Sequence, residues 1–101
     1  MAALNYKEFY EKEIEFANKM IGYDERHLEF IKGQLKRERK ADKELVEYVW
    51  SKGVVTKFEM EIYTKEFKGT ETEKLEKEAR QTRKAIRKYK SRISEYEAKL
   101  A

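Results

Sequence analysis

The chain has 101 residues, a length typical of one domain; 44% of them are charged, and the formal net charge is +4. It has no Cys, which excludes disulfides and thiolate metal ligation within the chain and is typical of a reducing compartment. No run approaches the roughly 20 apolar residues of a membrane-spanning helix, and residues 1–16 lack the apolar run of a signal peptide.

Apolar spacing predicts a long first helix over residues 5–38. Its first stripe keeps the 4,3 spacing that is typical of a helix packed along another helix. The members of the first stripe are Tyr10, Ile14, Ala17, Ile21, Leu28, Ile31 and Leu35, and the same phase returns at Leu45 and Val49. A second stripe beside it consists of Tyr6, Phe9, Phe16, Met20, Tyr23 and Phe30. Together the stripes cover an arc of about 160°, so we expect this helix to pack against more than one neighbour.

Residues 32–43 leave the course of the first helix open. Their one large apolar residue is Leu35. The helix either continues through this stretch with its side chains in solvent, or breaks near Gly33 and restarts with Asp42 as its N-cap. An unbroken helix to Lys52 would be about 70 Å long, which is long for a domain of this size. The fold is therefore assigned with helices at 5–38 and 42–52, and the question of the break stays open.

The middle of the chain is predicted to be a helix, a turn and a helix. Gly53 is a C-terminal stop for the helix before it. Thr56 and Glu59 have the spacing of a capping box for a helix at 57–68. Residues 54–64 have a second interpretation, because apolar and acidic residues alternate there as in a strand. A hairpin would need a turn within this run, and no turn residues are present.

The last helix is predicted at 70–100. Thr70 and Glu73 have the spacing of a capping box at its start. Its C-terminal stripe has an unbroken 4,3 phase, which indicates coiled-coil-like packing with left-handed supercoiling. The stripe consists of Leu75, Ala79, Thr82, Ile86, Tyr89, Ile93, Tyr96 and Leu100. A helix of about 45 Å with such a stripe needs the first helix, or a second copy of itself, along its length.

Positive charge is concentrated in two blocks. Residues 79–94 contain no acid and seven basic residues, namely Arg80, Arg83, Lys84, Arg87, Lys88, Lys90 and Arg92. A second block at 32–43 includes Lys36, Arg37, Arg39 and Lys40. The functional interpretation is a cationic surface for a polyanion such as nucleic acid, with the second block assisting. The structural alternative is pairing of the first block with acids such as Glu8, Glu11, Glu15 and Glu25.

Catalytic and metal-binding patterns are weak throughout the chain. His27 and Asp24 form an Asp-x-x-His pair, half of a carboxylate-bridged metal site, but the chain has no second His. A partly buried histidine at the flank of the apolar arc is the expected role of His27. The Ser residues have no second base beside them, and no Gly-rich phosphate loop occurs. We therefore predict no catalytic residue, no cofactor, no metal site, no small-molecule substrate and no enzymatic activity.

The sequence leaves two roles open for the aromatic residue Trp50. It lies just before the turn at Gly53. It either plugs the end of the helical bundle, which we favour, or anchors a partner protein.

The sequence thus predicts one all-α domain over 1–101, a bundle of three to four helices with antiparallel coiled-coil-like packing. The expected function is a non-enzymatic protein–protein interaction module that self-associates, a dimer being favoured, and docks on or inhibits a larger partner. A viral or mobile-element origin fits a small protein of this kind. The alternative function is nucleic-acid binding through the helix at 79–94. The expected location is the cytoplasm, or the host cytoplasm for a viral protein, with no membrane partner.

Overall fold

The computed structural model describes residues 5–52 and 67–101. Within these residues the chain is helical and has no strand. Helix α1 spans Tyr6–Lys52, 47 residues, and helix α2 spans Thr70–Leu100, 31 residues. The all-α prediction is confirmed, but the described residues form two long helices instead of the predicted three to four. No helix in this part of the chain is both long and apolar enough to cross a membrane.

The predicted helices at 5–38 and 42–52 are one unbroken helix, so the assignment of two was wrong. Residues 32–43 consist mostly of Lys, Arg, Glu, Gln and Ala, which are good helix formers even when solvated. A single helical glycine at Gly33 costs about 1 kcal/mol, too little to break a helix with packed residues on both sides. Leu35 within this stretch and Val49 after it are both buried. The helix therefore has packing partners inside the solvated stretch and beyond it.

The segment between α1 and α2 bears on three further predictions. Most of the predicted helix at 57–68, the stop at Gly53 and the strand interpretation of 54–64 lie outside the described residues. Phe67 and Lys68 are described and are not helical. The prediction of a helix reaching residue 68 is therefore wrong at its C-terminal end.

The last helix has the predicted bounds, although its cap differs from the prediction. The Glu73 N–H donates to the Gly69 carbonyl oxygen at 3.1 Å, so Gly69 is the N-cap and Thr70 is the first helical residue. The predicted capping box at Thr70 and Glu73 is therefore wrong, because Thr70 is a helical residue and not the N-cap. Gly69 has no side chain to act as an acceptor, and the acceptor at this helix start comes from α1.

The chain divides into two units, Met1–Glu29 with Ala79–Ala101 (unit 1) and Phe30–Glu78 (unit 2). In unit 1 the buried side chains come from the first stripe and the C-terminal stripe: Ala17, Ile21, Ala79, Thr82 and Ile86. The rings of Tyr10 and Tyr96 lie 5.4 Å apart between centroids. Because residues early in α1 contact residues late in α2, the two helices are antiparallel within this unit, as predicted.

Unit 2 is packed around the continuation of the same stripes. Its buried side chains are Ile31, Leu35, Val49 and Thr72. Asp42 lies on the first stripe, and its Oδ2 accepts hydrogen bonds from the Gly69 N–H at 3.1 Å and the Thr72 hydroxyl at 2.6 Å. A carboxylate at this place caps the start of α2 from the neighbouring helix and lies at the positive end of its dipole. Asp42 thus does act as a cap, but for α2 and not for a new helix of its own.

Replacement of Gly33 by Ala is expected to stabilise the protein by about 1 kcal/mol, the difference in helix propensity between the two residues. An added Cβ at Gly33 meets nothing within 4 Å, so the substitution introduces no clash. Urea denaturation followed by circular dichroism measures the change. A loss of stability would contradict a continuous α-helix at this residue.

Replacement of Asp42 by Ala is expected to destabilise the protein by about 1–2 kcal/mol, because the start of α2 loses its acceptor and the buried Thr72 hydroxyl loses its partner. Gly69→Ala tests the same contact without replacing Asp42, since its Cβ would lie 2.8 Å from Asp42 Oδ1 and would displace that carboxylate. Asp24→Ala, on the same stripe in unit 1, is the matched control for Asp42→Ala. Equal losses from Asp24→Ala and Asp42→Ala in urea denaturation would contradict the role of the cap.

Candidate interaction surfaces

The second stripe forms an exposed aromatic surface on α1. In unit 1, Tyr6, Phe9, Phe16 and Tyr23 keep 67%, 43%, 52% and 62% of their surface exposed, and Met20 is half-buried. The stripe continues along the helix to Phe30, which is also exposed. The second neighbour expected for the first helix is therefore not present among residues 5–52 and 67–101.

The spacing of this surface is itself that of a coiled-coil stripe. Tyr6, Phe9, Phe16, Met20 and Tyr23 fall in a 3,4 repeat whose remaining positions in unit 1 are filled by Glu13 and His27. Such a repeat keeps its side chains on one face of a helix over several turns. The helix therefore has two parallel coiled-coil stripes, and within unit 1 α2 packs against the first.

A row of cations borders the second stripe on its outer side, at Lys12, Lys19 and Arg26. The Arg26 guanidinium carbon lies 4.9 Å from the ring centroid of Tyr23, a cation–π distance. The Lys19 ammonium lies 3.5 Å from Glu15 Oε1. Two of the three cations are therefore engaged by groups of their own helix.

The seven predicted basic residues of 79–94 all lie in unit 1 and are all exposed on α2. We call them the basic face: Arg80, Arg83, Lys84, Arg87, Lys88, Lys90 and Arg92. Arg92 lies over the ring of Tyr89, 5.8 Å from its centroid. Within the described residues the other six take part in none of the ion pairs. The proposed pairing with Glu8, Glu11, Glu15 and Glu25 does not occur there.

A shallow groove of about 460 Å³ runs along one edge of the basic face. Leu28 and Ile86 contribute its apolar side chains, and Arg83, Arg87 and Lys90 contribute its cations. Glu25, one of the acids expected to pair with the basic block, also lines this groove. No ion pair joins it to these cations within the described residues, so their charge remains available to solvent.

The second basic block lies in unit 2 and is not part of the basic face. Lys36, Arg37, Arg39 and Lys40 are exposed on α1. Arg39 donates to Glu76 at 3.3 Å, and Lys68 donates to the other oxygen of the same carboxylate at 3.1 Å. Arg39 is thus paired within its own unit, whereas the sequence predicted the same role for all four residues.

His27 and Trp50 differ from their expected surroundings. His27 is exposed on α1 instead of partly buried, and no group of three or more metal-binding side chains occurs in residues 5–52 and 67–101. Trp50 lies in the last turn of α1 with 58% of its surface exposed. An exposure of this size favours the role of anchor over that of a plug.

No family model, curated protein or solved structure matches this chain. The features of this chain that bear on its function are therefore the two exposed surfaces of unit 1, the second stripe and the basic face.

Sequence reasoning missed the polar cluster of unit 2, formed by Asp42, Thr72 and Glu76 with the cations around them. A heptad count would have found part of it, because Asp42 lies on the first stripe and Thr72 lies three residues before Leu75, in phase with the C-terminal stripe. When two facing stripes each have a polar residue at a packed position, the pattern indicates a contact between those two residues. No such pattern predicts the role of Glu76, because neither of its two partners lies on a stripe.

The ion pairs of Glu76 are expected to make stability depend on pH. Hydrogen bonding from Lys68, assisted by Arg39, holds the pKa of Glu76 below its ordinary value. Its stabilising effect is therefore present at neutral pH and is lost as the pH falls through the lowered pKa. Urea denaturation near pH 7 and near pH 3 should show Glu76→Gln less stable than the wild type at the higher pH, with the difference shrinking in acid. A difference that grew in acid would contradict this assignment.

Proposed function

We propose that this chain is an intracellular, non-enzymatic interaction module that self-associates through the second stripe of α1. The observation that supports it is the exposure of Tyr6, Phe9, Phe16 and Tyr23 in a coiled-coil repeat. Scattered exposed apolar residues are normal on a protein surface, whereas a contiguous aromatic row is typical of an interface.

The 3,4 repeat favours another α-helix as the partner. A helix with the same repeat can insert its side chains between those of the second stripe over successive turns. A strand has a side-chain period of two residues and would match only isolated positions. A partner helix of about 27 Å, or 18 residues, covers the stripe from Tyr6 to Tyr23.

The area of the stripe favours a second copy of this chain as that partner. Four aromatic side chains that are about half exposed present roughly 100 Å² each. In a symmetric dimer both copies bury these rings, which gives about 800 Å² before Met20 and the side-chain stems of Lys12 and Lys19 are added. The total reaches the roughly 1,000 Å² expected of a specific interface.

Glu13 favours an antiparallel arrangement of the two copies. In a parallel, in-register pair it would face its own carboxylate across the interface, which is unfavourable. In an antiparallel pair the positions of Tyr6, Glu13 and Met20 face those of Phe9, Phe16 and Tyr23. The carboxylate then lies against an aromatic ring, where it can remain at the solvated edge.

Replacement of Phe16 by Glu tests this proposal, because Phe16 is central in the stripe and a carboxylate there would be buried at the interface. We expect a dimer for the wild type at micromolar concentration by sedimentation velocity, and at least a tenfold weaker association for Phe16→Glu. Asn18→Glu adds the same side chain at an exposed position of the same helix outside the stripe and should leave the dimer intact.

Circular dichroism of both variants checks that α1 and α2 remain folded. A wild-type monomer at high micromolar concentration would overturn self-association. A dimer equally weakened by both variants would show that added negative charge, and not loss of the stripe, is the cause. Since apolar burial drives the proposed contact, the dimer should not weaken when salt is raised.

A further inference from the structure

We propose that the basic face of α2 binds the phosphate backbone of duplex nucleic acid without regard to base sequence. This proposal uses residues of α2 in unit 1 and does not depend on self-association through α1. Its support comes from the arrangement of the cations, from their availability and from the side chains that accompany them.

Four of the seven cations of the basic face form a straight row. Arg80, Arg83, Arg87 and Lys90 follow one another at intervals of three, four and three residues, which keeps them on one line along a helix. The row is about 15 Å long at 1.5 Å per residue. One strand of a duplex has a phosphate about every 3.4 Å along the axis, or about four to five over the same length. Four cations therefore meet a comparable number of phosphates.

The charges of this row are available for a ligand. All four side chains are exposed, and none takes part in an ion pair within the described residues. Lys84 and Lys88 lie on the adjacent side of the helix and are exposed in the same way. A phosphate contact would therefore not have to displace an internal carboxylate.

The residues between the cations favour nucleic acid over an acidic protein. The exposed neighbours on this side of α2 are small and polar, namely Ser91 and Ser94. Protein interfaces usually depend on buried aromatic or aliphatic anchors, and no such anchor is exposed among the described residues of this face. A surface of cations and short polar side chains is typical of contacts to phosphate and sugar.

The same residues favour a duplex over a single strand. Single-strand binding depends on aromatic rings on which bases stack. The aromatic residue within the block, Tyr89, is half-buried on the C-terminal stripe and has Arg92 over its ring. The described residues of the basic face thus offer no open ring to a base, and contact with the backbone alone gives no base readout.

The test is fluorescence anisotropy with a labelled DNA duplex of about 20 base pairs, titrated at about 50 and 200 mM salt. Neutralisation of four phosphates predicts that affinity falls roughly a hundredfold between the two salt concentrations. In the triple variant Arg83→Gln, Arg87→Gln, Lys90→Gln we expect much weaker binding and only about a threefold effect of salt, as for one remaining phosphate contact.

The matched control is Lys36→Gln, Arg37→Gln, Lys40→Gln, which removes the same charge from exposed residues of α1 in unit 2. It should keep most of the affinity and the steep salt dependence. Equal losses in the two triple variants would overturn the proposal, because net charge alone would then explain the binding. Glu25→Gln gives a further check in the opposite direction. Removal of the acid in the groove beside Arg83 should strengthen duplex binding severalfold. Unchanged binding would argue against phosphate contacts by the row of four cations.

Three competitors separate the ligand classes. Unlabelled duplex of unrelated sequence should compete as well as the labelled sequence, and single-stranded DNA should compete less well. Polyglutamate of matched charge should compete poorly. Full competition by polyglutamate would point to an acidic protein as the ligand and would overturn the assignment to nucleic acid.

Discussion

The structure depends on the pairing of two 4,3 stripes, the first stripe of α1 and the C-terminal stripe of α2. Small residues at the contact, such as Ala17 and Ala79, are almost fully buried, so the backbones can approach closely and larger aliphatic neighbours fill the remaining space. Because each helix uses one narrow edge for this contact, most of its other residues face solvent. This explains how a chain that is 44% charged can still fold without burying its charges.

Asp42 shows what happens where a polar residue falls on such a stripe. A half-buried carboxylate needs donors, and the start of a helix supplies unpaired N–H groups. The facing element provides both the Gly69 N–H and the Thr72 hydroxyl to one oxygen. These bonds are possible at one register of α2 along α1. A polar position that weakens apolar packing therefore defines how the two helices are aligned within unit 2.

The sequence was sufficient for the features that depend on local periodicity. The C-terminal helix and both packed stripes follow from 4,3 spacing alone. The assignment of separate helices at 5–38 and 42–52 was wrong because the helix propensity of Lys, Arg, Glu and Ala, and not the size of the domain, decides a solvated stretch. The cap of α2 was misplaced because its acceptor comes from a residue 27 positions earlier, which no local motif shows. The exposure of the second stripe was missed since periodicity indicates an apolar face without saying what covers it.

Unit 1 exposes two surfaces of different chemistry on different helices. The aromatic row lies on α1 and the basic face on α2, and both flank the same packed stripes. Apolar association does not weaken with salt, whereas phosphate binding does, so the two proposed activities would respond to different conditions. An antiparallel dimer through α1 would also present two basic faces on one particle. When two linked sites can contact one duplex, the second contact forms at high effective concentration, and modest backbone affinity at each site then becomes tight binding. Self-association would in this way increase nucleic-acid affinity without adding a single new contact to the basic face.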